Sequence, residues 1–131
     1  MNTERDDLLM LSDFAWDRLR SRVQGLTDEE YLWEPADDCW TIRPDADGVW
    51  RPDASPFPRD PARLATIAWR LTHITDDILA AERNATWIGL SADPDADWSG
   101  AAPTVAAARE RMDETYAYWR RCIERAEDLD I

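Results

Sequence analysis

The chain has no lysine, because all 15 of its basic residues are arginine. Without lysine, neither Schiff-base catalysis nor a P-loop lysine is available. Only two cysteines occur, Cys39 and Cys122, too few for a disulfide scaffold or a cysteine-built zinc site. No apolar run approaches membrane-spanning length, and the acidic start, MNTERDDLLML, lacks the basic beginning of a secretory signal. We therefore expect a cytoplasmic protein with reduced thiols.

Positive charge is scarce as well. The 28 acidic residues outnumber the basic ones and give a net charge of −13. Such a chain repels phosphate backbones and anionic membrane surfaces. We expect no nucleic-acid partner and no membrane partner.

Tryptophan, in contrast, is abundant: there are eight in 131 residues. Apolar residues make up 44% and charged residues 33%, which is typical of a globular protein. The length predicts a single domain, residues 1–131, with one small core. Tryptophan side chains can fill such a core or line a cleft.

The spacing of apolar residues predicts a first amphipathic helix over residues 4–24, with Thr3 as N-cap and Gly25 just after its end. Its predicted core face recurs at three- and four-residue steps and consists of Leu8, Leu11, Ala15, Leu19 and Val23. Thr27 and Glu30 then have the spacing of a capping box, which predicts a short helical segment.

Residues 34–61 contain six prolines and read as irregular. Within them, CWTIR and GVW flank the turn sequence PDAD, which predicts a small β-hairpin. A loop of this length in a small domain is often functional. The alternative, a surface excursion that pins two helices together, stays open.

Two further helices are predicted. The second begins after Asp60, with Pro61 at its first position, and runs to about residue 88. The third begins after Thr104. One face of the third helix carries Val105, Ala108, Met112, Tyr116, Trp119, Ile123 and Ala126, and its other side, which includes Arg111, reads as solvated.

His73 is the single histidine of the chain. At 100° per residue it lies opposite the aliphatic cluster of the second helix, which comprises Leu64, Ile67, Ala68, Leu71, Thr75 and Ile78. Trp69, Asp77 and Trp87 lie near His73, with Asp76 on the flank. This placement separates His73 from the aliphatic stripe. It leaves two interpretations open: an exposed histidine on a solvated face, and a histidine that borders a cleft.

A neutral imidazole binds Zn, Ni or Fe, but a firm site needs three or four ligands. Asp76 and Asp77 lie three and four residues after His73 and can share its face; as ordinary surface carboxylates they would bind nothing. No HExxH or GxSxG motif is present. Cysteine–histidine catalysis would require Cys39 or Cys122 to lie near His73 in space.

Four stretches of the sequence resemble the DinB-like, YfiT-like family of metal-dependent enzymes. They are LTDEEYLWEPADDCWTIRP (26–44), DGVWRPD (47–53), TIAWRLTHITDDILAAERNATWIG (66–89) and YWRRCIERAEDLDI (118–131). The resemblance implies an all-α, four-helix bundle with a metal site at one end. Three bundle helices are readable here, with a Pro/Trp-rich loop and small β-hairpin between the first two.

The resemblance also implies that His73 is a metal ligand. In the family two more histidines come from the last helix. We expect that this chain lacks that helix and that the site is incomplete within it. The implied cofactors are a divalent metal (Zn, Ni or Fe) and a low-molecular-weight thiol such as mycothiol. Trp69, Asp77 and Trp40 are the expected cleft-lining residues.

The implied function is that of a metal-dependent thiol transferase or isomerase acting on a small molecule, as in mycothiol-dependent maleylpyruvate isomerases. The alternative is a non-catalytic oligomeric or binding protein that keeps the bundle scaffold without a functional metal site. Three helices leave apolar faces that a fourth would cover. We therefore expect self-association, most simply as a homodimer. A regulatory or partner-binding subunit is a third hypothesis.

Overall fold

The structure is a computed structural model that describes residues 3–53, 63–80 and 100–125. In chain order its elements are helix α1 (Glu4–Val23), helix α2 (Asp28–Tyr31), strand β1 (Ile42–Pro44), strand β2 (Trp50–Pro52), helix α3 (Ile67–Thr72), a π-helix (His73–Leu79) and helix α4 (Val105–Arg125). Helix α4 packs against α1 on one side and against α3 and the π-helix on the other. The three bundle helices read from the sequence are therefore present.

The beginnings of the first two helices confirm their sequence signals. The hydroxyl of Thr3 accepts a hydrogen bond from the backbone N–H of Asp6, and the Asp6 carboxylate accepts one in return from the N–H of Thr3. Thr27 and Glu30 form the same reciprocal pair at the start of α2. Each pair satisfies backbone donors that the first turn of a helix leaves without partners.

The predicted core face of α1 is wrong over its first half. Leu8 and Leu11 are 56% and 64% exposed, whereas Leu9 is buried. Trp16 and Leu19 pack against the core, and Val23 belongs to it. The face that meets α4 is thus rotated away from the aliphatic stripe.

Polar and aromatic contacts with α4 explain this rotation. The Trp16 ring stacks on that of Tyr116 at a centroid distance of 4.5 Å. Tyr116 donates a hydrogen bond of 2.6 Å to Asp13, and Arg120 binds the same carboxylate. These bonds require Asp13 to face α4, so the helix presents a partly polar stripe to its neighbour.

The hairpin forms as predicted. Strands β1 and β2 are antiparallel, with Arg43 opposite Arg51. In the turn between them the Asp45 carboxylate accepts hydrogen bonds from the backbone N–H groups of Asp47 and Val49. Gly48 takes φ +81° there, a conformation that favours glycine.

The predicted beginning of the second bundle helix is wrong. Helix α3 starts at Ile67, because Thr66 is its N-cap and accepts a hydrogen bond from the N–H of Trp69. Ala65, just before the cap, forms a parallel bridge with Trp40 instead of helix. Asp60, Pro61 and the predicted end near residue 88 lie outside the described residues.

Helix α3 continues as a π-helix, which the sequence did not reveal. The N–H of Ala80 bonds to the carbonyl of Thr75, five residues earlier. The wider turn changes the angular step per residue. Of the predicted aliphatic cluster, Ala68, Leu71 and Thr75 are buried, but Leu64, Ile67 and Ile78 are 40–54% exposed.

Helix α4 begins as predicted, with the Thr104 hydroxyl accepting a hydrogen bond from the N–H of Ala107. Its buried residues are Val105, Ala108, Met112, Thr115, Tyr118 and Cys122. The predicted face was correct for the first three. Further along, Tyr116 and Trp119 are half-buried, and Tyr116 stacks on Trp16 of α1. The prediction was wrong for Arg111, whose side chain is only 16% exposed.

The hydrophobic core lies where α2, β1, α3 and α4 meet, around the fully buried Tyr31 and Met112. None of the helices within the described ranges is both long and apolar enough to cross a membrane.

Candidate functional site

Four side chains named from the sequence form one continuous row. The ring centroids of Trp40 and Trp69 are 4.9 Å apart. Trp69 stacks on His73 at 5.4 Å with 10° between the ring planes. His73 Nδ1 lies 3.0 Å from Asp77 Oδ2. The row therefore joins two indoles, an imidazole and a carboxylate in contact.

The row depends on a short backbone bridge. Trp40 donates its N–H to the carbonyl of Leu64 (2.8 Å), and Thr66 donates its N–H to the carbonyl of Trp40 (2.9 Å). The Thr66 hydroxyl donates to that of Thr41 while also capping α3. Thr66 is 1% exposed. This bridge brings Trp40, which is distant in sequence, beside the first turn of the helix that carries Trp69 and His73.

Asp53 fixes the other end of the indole of Trp69. Its backbone carbonyl accepts a hydrogen bond of 2.9 Å from Trp69 Nε1. Its carboxylate accepts one from the N–H of Thr41 and another from Arg43 Nε. The hairpin and α3 are thereby linked through one residue. No sequence pattern predicts this role, because Asp53 stands among several aspartates of an irregular stretch.

The indole N–H of Trp40 is a buried hydrogen-bond donor. Within the described part of the chain its Nε1 has no hydrogen-bond partner. Buried polar groups are normally bonded, and an orphaned one costs about 1–3 kcal/mol. An acceptor atom from outside the described residues would satisfy this indole.

His73 is the first residue of the π-helix. Its side chain is 44% exposed and that of Asp77 is 55% exposed, so the pair faces solvent. With Nδ1 turned to the carboxylate, Nε2 has no partner among the described residues. An Nδ1–H donated to Asp77 would leave Nε2 as a proton acceptor or a metal ligand.

Asp76 does not share the His73 side of the helix. Both of its carboxylate oxygens lie 3.0 Å from Arg111 Nη1 on α4, and the Thr75 hydroxyl donates to it at 2.8 Å. Its side chain is 20% exposed and that of Arg111 is 16%. Burial raises the pKa of Asp76, and the bonds from Thr75 and Arg111 only partly oppose the rise. This pair ties the π-helix to α4 behind the row.

Tyr31 lies in the same interior region. Its hydroxyl donates a hydrogen bond of 2.8 Å to the carbonyl of Ala102. Burial raises the pKa of Tyr31 to about 12, and the hydroxyl of Thr72 acts in the opposite direction. The phenol therefore stays neutral at physiological pH and serves as a structural donor.

The cysteines do not offer a ready nucleophile. Cys39 and Cys122 are both buried. Cys39 donates to Glu34 over 3.7 Å, and burial followed by the charge of Glu34 raises the pKa of the Cys39 thiol. A raised pKa disfavours the reactive thiolate. Any sulfur nucleophile at His73 would therefore come from a bound molecule.

A complete metal site is not formed by the described residues. No three His, Cys, Asp or Glu side chains among them come together as a group that could hold a metal ion. His73 offers one nitrogen, and Asp77 is positioned to orient the ring. A firm site needs at least two further ligands. The described side chains alone therefore do not fit a bound divalent metal.

Comparison with known proteins identifies the family. The sequence pattern of the DinB superfamily matches residues 12–131. The chain belongs to the DinB superfamily. The helical core with its small hairpin agrees with that assignment. Neither the curated proteins nor the solved structures include a match to this DinB chain.

Proposed function

We propose that this DinB-superfamily protein is a thiol-dependent transferase or isomerase in which the His73–Asp77 pair handles the proton of a low-molecular-weight thiol. The observation that carries the proposal is the 3.0 Å contact between His73 Nδ1 and Asp77, with the imidazole stacked on Trp69. A carboxylate that holds one ring nitrogen orients the other for proton transfer.

In the proposed reaction His73 Nε2 accepts the proton of the thiol S–H. The resulting thiolate attacks an electrophilic carbon of the second substrate. Asp77 stabilises the imidazolium that forms, and the proton returns to the product or to the departing thiol. Arg111 does not take part, because Asp76 holds it on the opposite side of the π-helix.

The two indoles favour a planar, conjugated acceptor. Trp40 and Trp69 offer flat apolar surface beside His73. The Arg70 guanidinium lies 5.6 Å from the Trp69 ring centroid and adds positive charge at this edge. A small unsaturated carboxylate matches these features.

The second version of this proposal is a metal-dependent reaction. In it, His73 Nε2 would be a ligand to Zn, Ni or Fe, and the Asp77 carboxylate would orient the imidazole ring through Nδ1. Bound metal would supply Lewis acidity or stabilise a thiolate. Two further ligands would have to come from outside the described residues, since those described provide one.

Turnover with a panel of low-molecular-weight thiols and conjugated acids tests the proposal. His73→Gln should lower the rate about 10²–10⁴-fold, the usual contribution of a general base. Asp77→Asn should lower it less, and Asp47→Asn, at an exposed turn position, is the matched control. Undiminished turnover by His73→Gln would refute the role of the histidine.

Nitrogen NMR gives a readout that a purely structural role would not change. Because the chain has one histidine, its two ring nitrogens give unambiguous signals. We expect the Nδ1–H tautomer in the native protein and its loss in Asp77→Asn. Metal analysis of the same samples separates the two forms, because stoichiometric Zn, Ni or Fe supports the metal-dependent one.

A non-catalytic oligomeric or binding protein is the alternative function. Two observations favour it: the described residues provide no three-ligand group, and an apolar stretch of α1 is exposed. Absence of turnover and of bound metal in the correctly folded protein would support this alternative.

A further inference from the structure

One side of α1 is exposed along its whole length and is apolar in the middle. Leu8, Leu11 and Phe14 are 56%, 64% and 61% exposed. At 100° per residue these side chains share a stripe with residues of both charges near the two ends. We call this stripe the α1 outer face: Glu4, Asp7, Leu8, Leu11, Phe14, Ala15, Arg18 and Arg22, all of them exposed.

The outer face is not used in the fold of the described residues. The opposite side of α1, around Leu9, Trp16 and Val23, packs on α4 and the core. Isolated exposed apolar residues are common, but three large ones in one stripe mark an interaction surface. Something beyond the packing of these helices is needed to cover them.

The charges on the outer face are ordered. Glu4 and Asp7 stand before the apolar centre, and Arg18 and Arg22 stand after it. The stripe is therefore electrically neutral on a chain whose net charge is −13. Arg18 also lies over the ring of Phe14, 5.8 Å from its centroid. Because the acids come first and the arginines last, the stripe is complementary to a second copy of itself that runs in the opposite direction.

We propose that two copies of the chain associate through the α1 outer face, with the two α1 helices antiparallel across a two-fold axis. Reversal about residue 13 places Glu4 opposite Arg22 of the second copy and Leu11 opposite Ala15. Each contact then occurs twice, as a two-fold interface requires. A parallel arrangement would instead set acid against acid.

The charge order is what identifies the occupant as a second copy. A uniformly acidic partner surface would be repelled by the Glu4 end of the stripe, and a uniformly basic one would be repelled by the Arg22 end. An antiparallel copy pairs Glu4 with Arg22 at both ends and places Leu11 against Ala15 between them. This inference does not depend on the chemistry of His73, because the outer face lies on a different helix.

Sedimentation velocity of the full chain over a concentration series tests the proposal. We expect a dimer whose dissociation constant rises at least 100-fold in Leu11→Glu. Met10→Glu is the matched control. Met10 is 65% exposed, but its side chain lies about 100° around the helix from Leu11 and about 120° from the line through Glu4 and Arg22. It should shift the dissociation constant less than threefold.

Charge reversal tests the antiparallel order. The double variant Arg18→Glu with Arg22→Glu should weaken the dimer, and adding Glu4→Arg with Asp7→Arg should restore it. Circular dichroism and thermal unfolding of each variant check that the fold is intact. A monomer at all concentrations, equal effects of Leu11→Glu and Met10→Glu, or no restoration in the fourfold variant would each overturn the proposal.

Discussion

Replacing Gly100 by alanine is expected to loosen the junction between the hairpin and α4. Gly100 has φ +77°, and a Cβ there would lie 2.9 Å from Val49 Cγ1 and 3.2 Å from the carbonyl oxygen of Trp50. The neighbouring N–H of Ala101 donates a hydrogen bond of 2.6 Å to that same carbonyl. Alanine must therefore displace either the hairpin or the start of α4.

Two costs add at this position. The left-handed conformation costs a residue with a Cβ about 1–2 kcal/mol, of which about 0.4–1 kcal/mol is offset by the stiffer unfolded chain. The forced contact with Val49 and the backbone of Trp50 adds about 1–3 kcal/mol, as overpacking does elsewhere. We expect a total loss of about 1–4.6 kcal/mol in the free energy of unfolding.

Gly48 provides the matched control. It has φ +81°, and a Cβ added there would have nothing within 4 Å. Gly48→Ala should therefore cost only the conformational part, about 0.5–1.5 kcal/mol. Urea unfolding measures both losses, and amide exchange at Ala101 should quicken only in Gly100→Ala. Equal losses for the two variants would refute the argument, because the close contacts would then contribute nothing.

Three further variants test the charged and polar interior. Because burial raises the pKa of Tyr31 to about 12, native stability should be full below about pH 10 and fall between pH 10 and 12; Tyr31→Phe should flatten this fall in urea titrations. The bond from Arg120 lowers the pKa of Asp13. The resulting stabilisation is present above about pH 4 and is lost as the pH falls through the folded value, so Asp13→Asn should make the acid limb of a thermal-melting profile shallower. Arg111→Met should cost about 1–3 kcal/mol at pH 7, because the largely buried Asp76 carboxylate loses its cation and keeps only the bond from Thr75. The loss should shrink near pH 4, where Asp76 protonates more readily because its pKa is raised; a pH-independent loss would contradict this account.

Local signals predicted the local structure correctly. The capping pairs at Thr3 and Thr27, the PDAD turn and the start of α4 at Thr104 each involve residues within about four positions of one another. In each of these contacts both residues lie close together in the sequence. For this reason no knowledge of the rest of the fold was needed.

The packing side of α1 could not be predicted in the same way. Asp13 faces α4 because Tyr116 and Arg120 bind its carboxylate, more than 100 positions away. A pattern that counts aliphatic residues gives no weight to such a contact. The aliphatic stripe it selected is, in its first half, the exposed outer face.

In the row at His73, local spacing predicts some members, whereas contacts between distant parts of the chain bring in the others. Trp69 and Asp77 stand one turn before and after His73, so helical spacing was sufficient to group them. Trp40 joins only through the bridge to Ala65, and Asp53 only through its carbonyl. Neither relation has a sequence signature. Asp76 was misjudged because the π-helix turns it towards Arg111.

Because of the π-helix, the side chains before it and after it point in directions that are set separately. The run from His73 to Leu79 shifts the angular phase of everything that follows it relative to Ile67–Thr72. Trp69 can therefore keep its alignment with the hairpin while Asp76 is aimed at α4. A gain or loss of one residue within the run would therefore turn the residues after it and leave Trp69, before it, aligned with the hairpin.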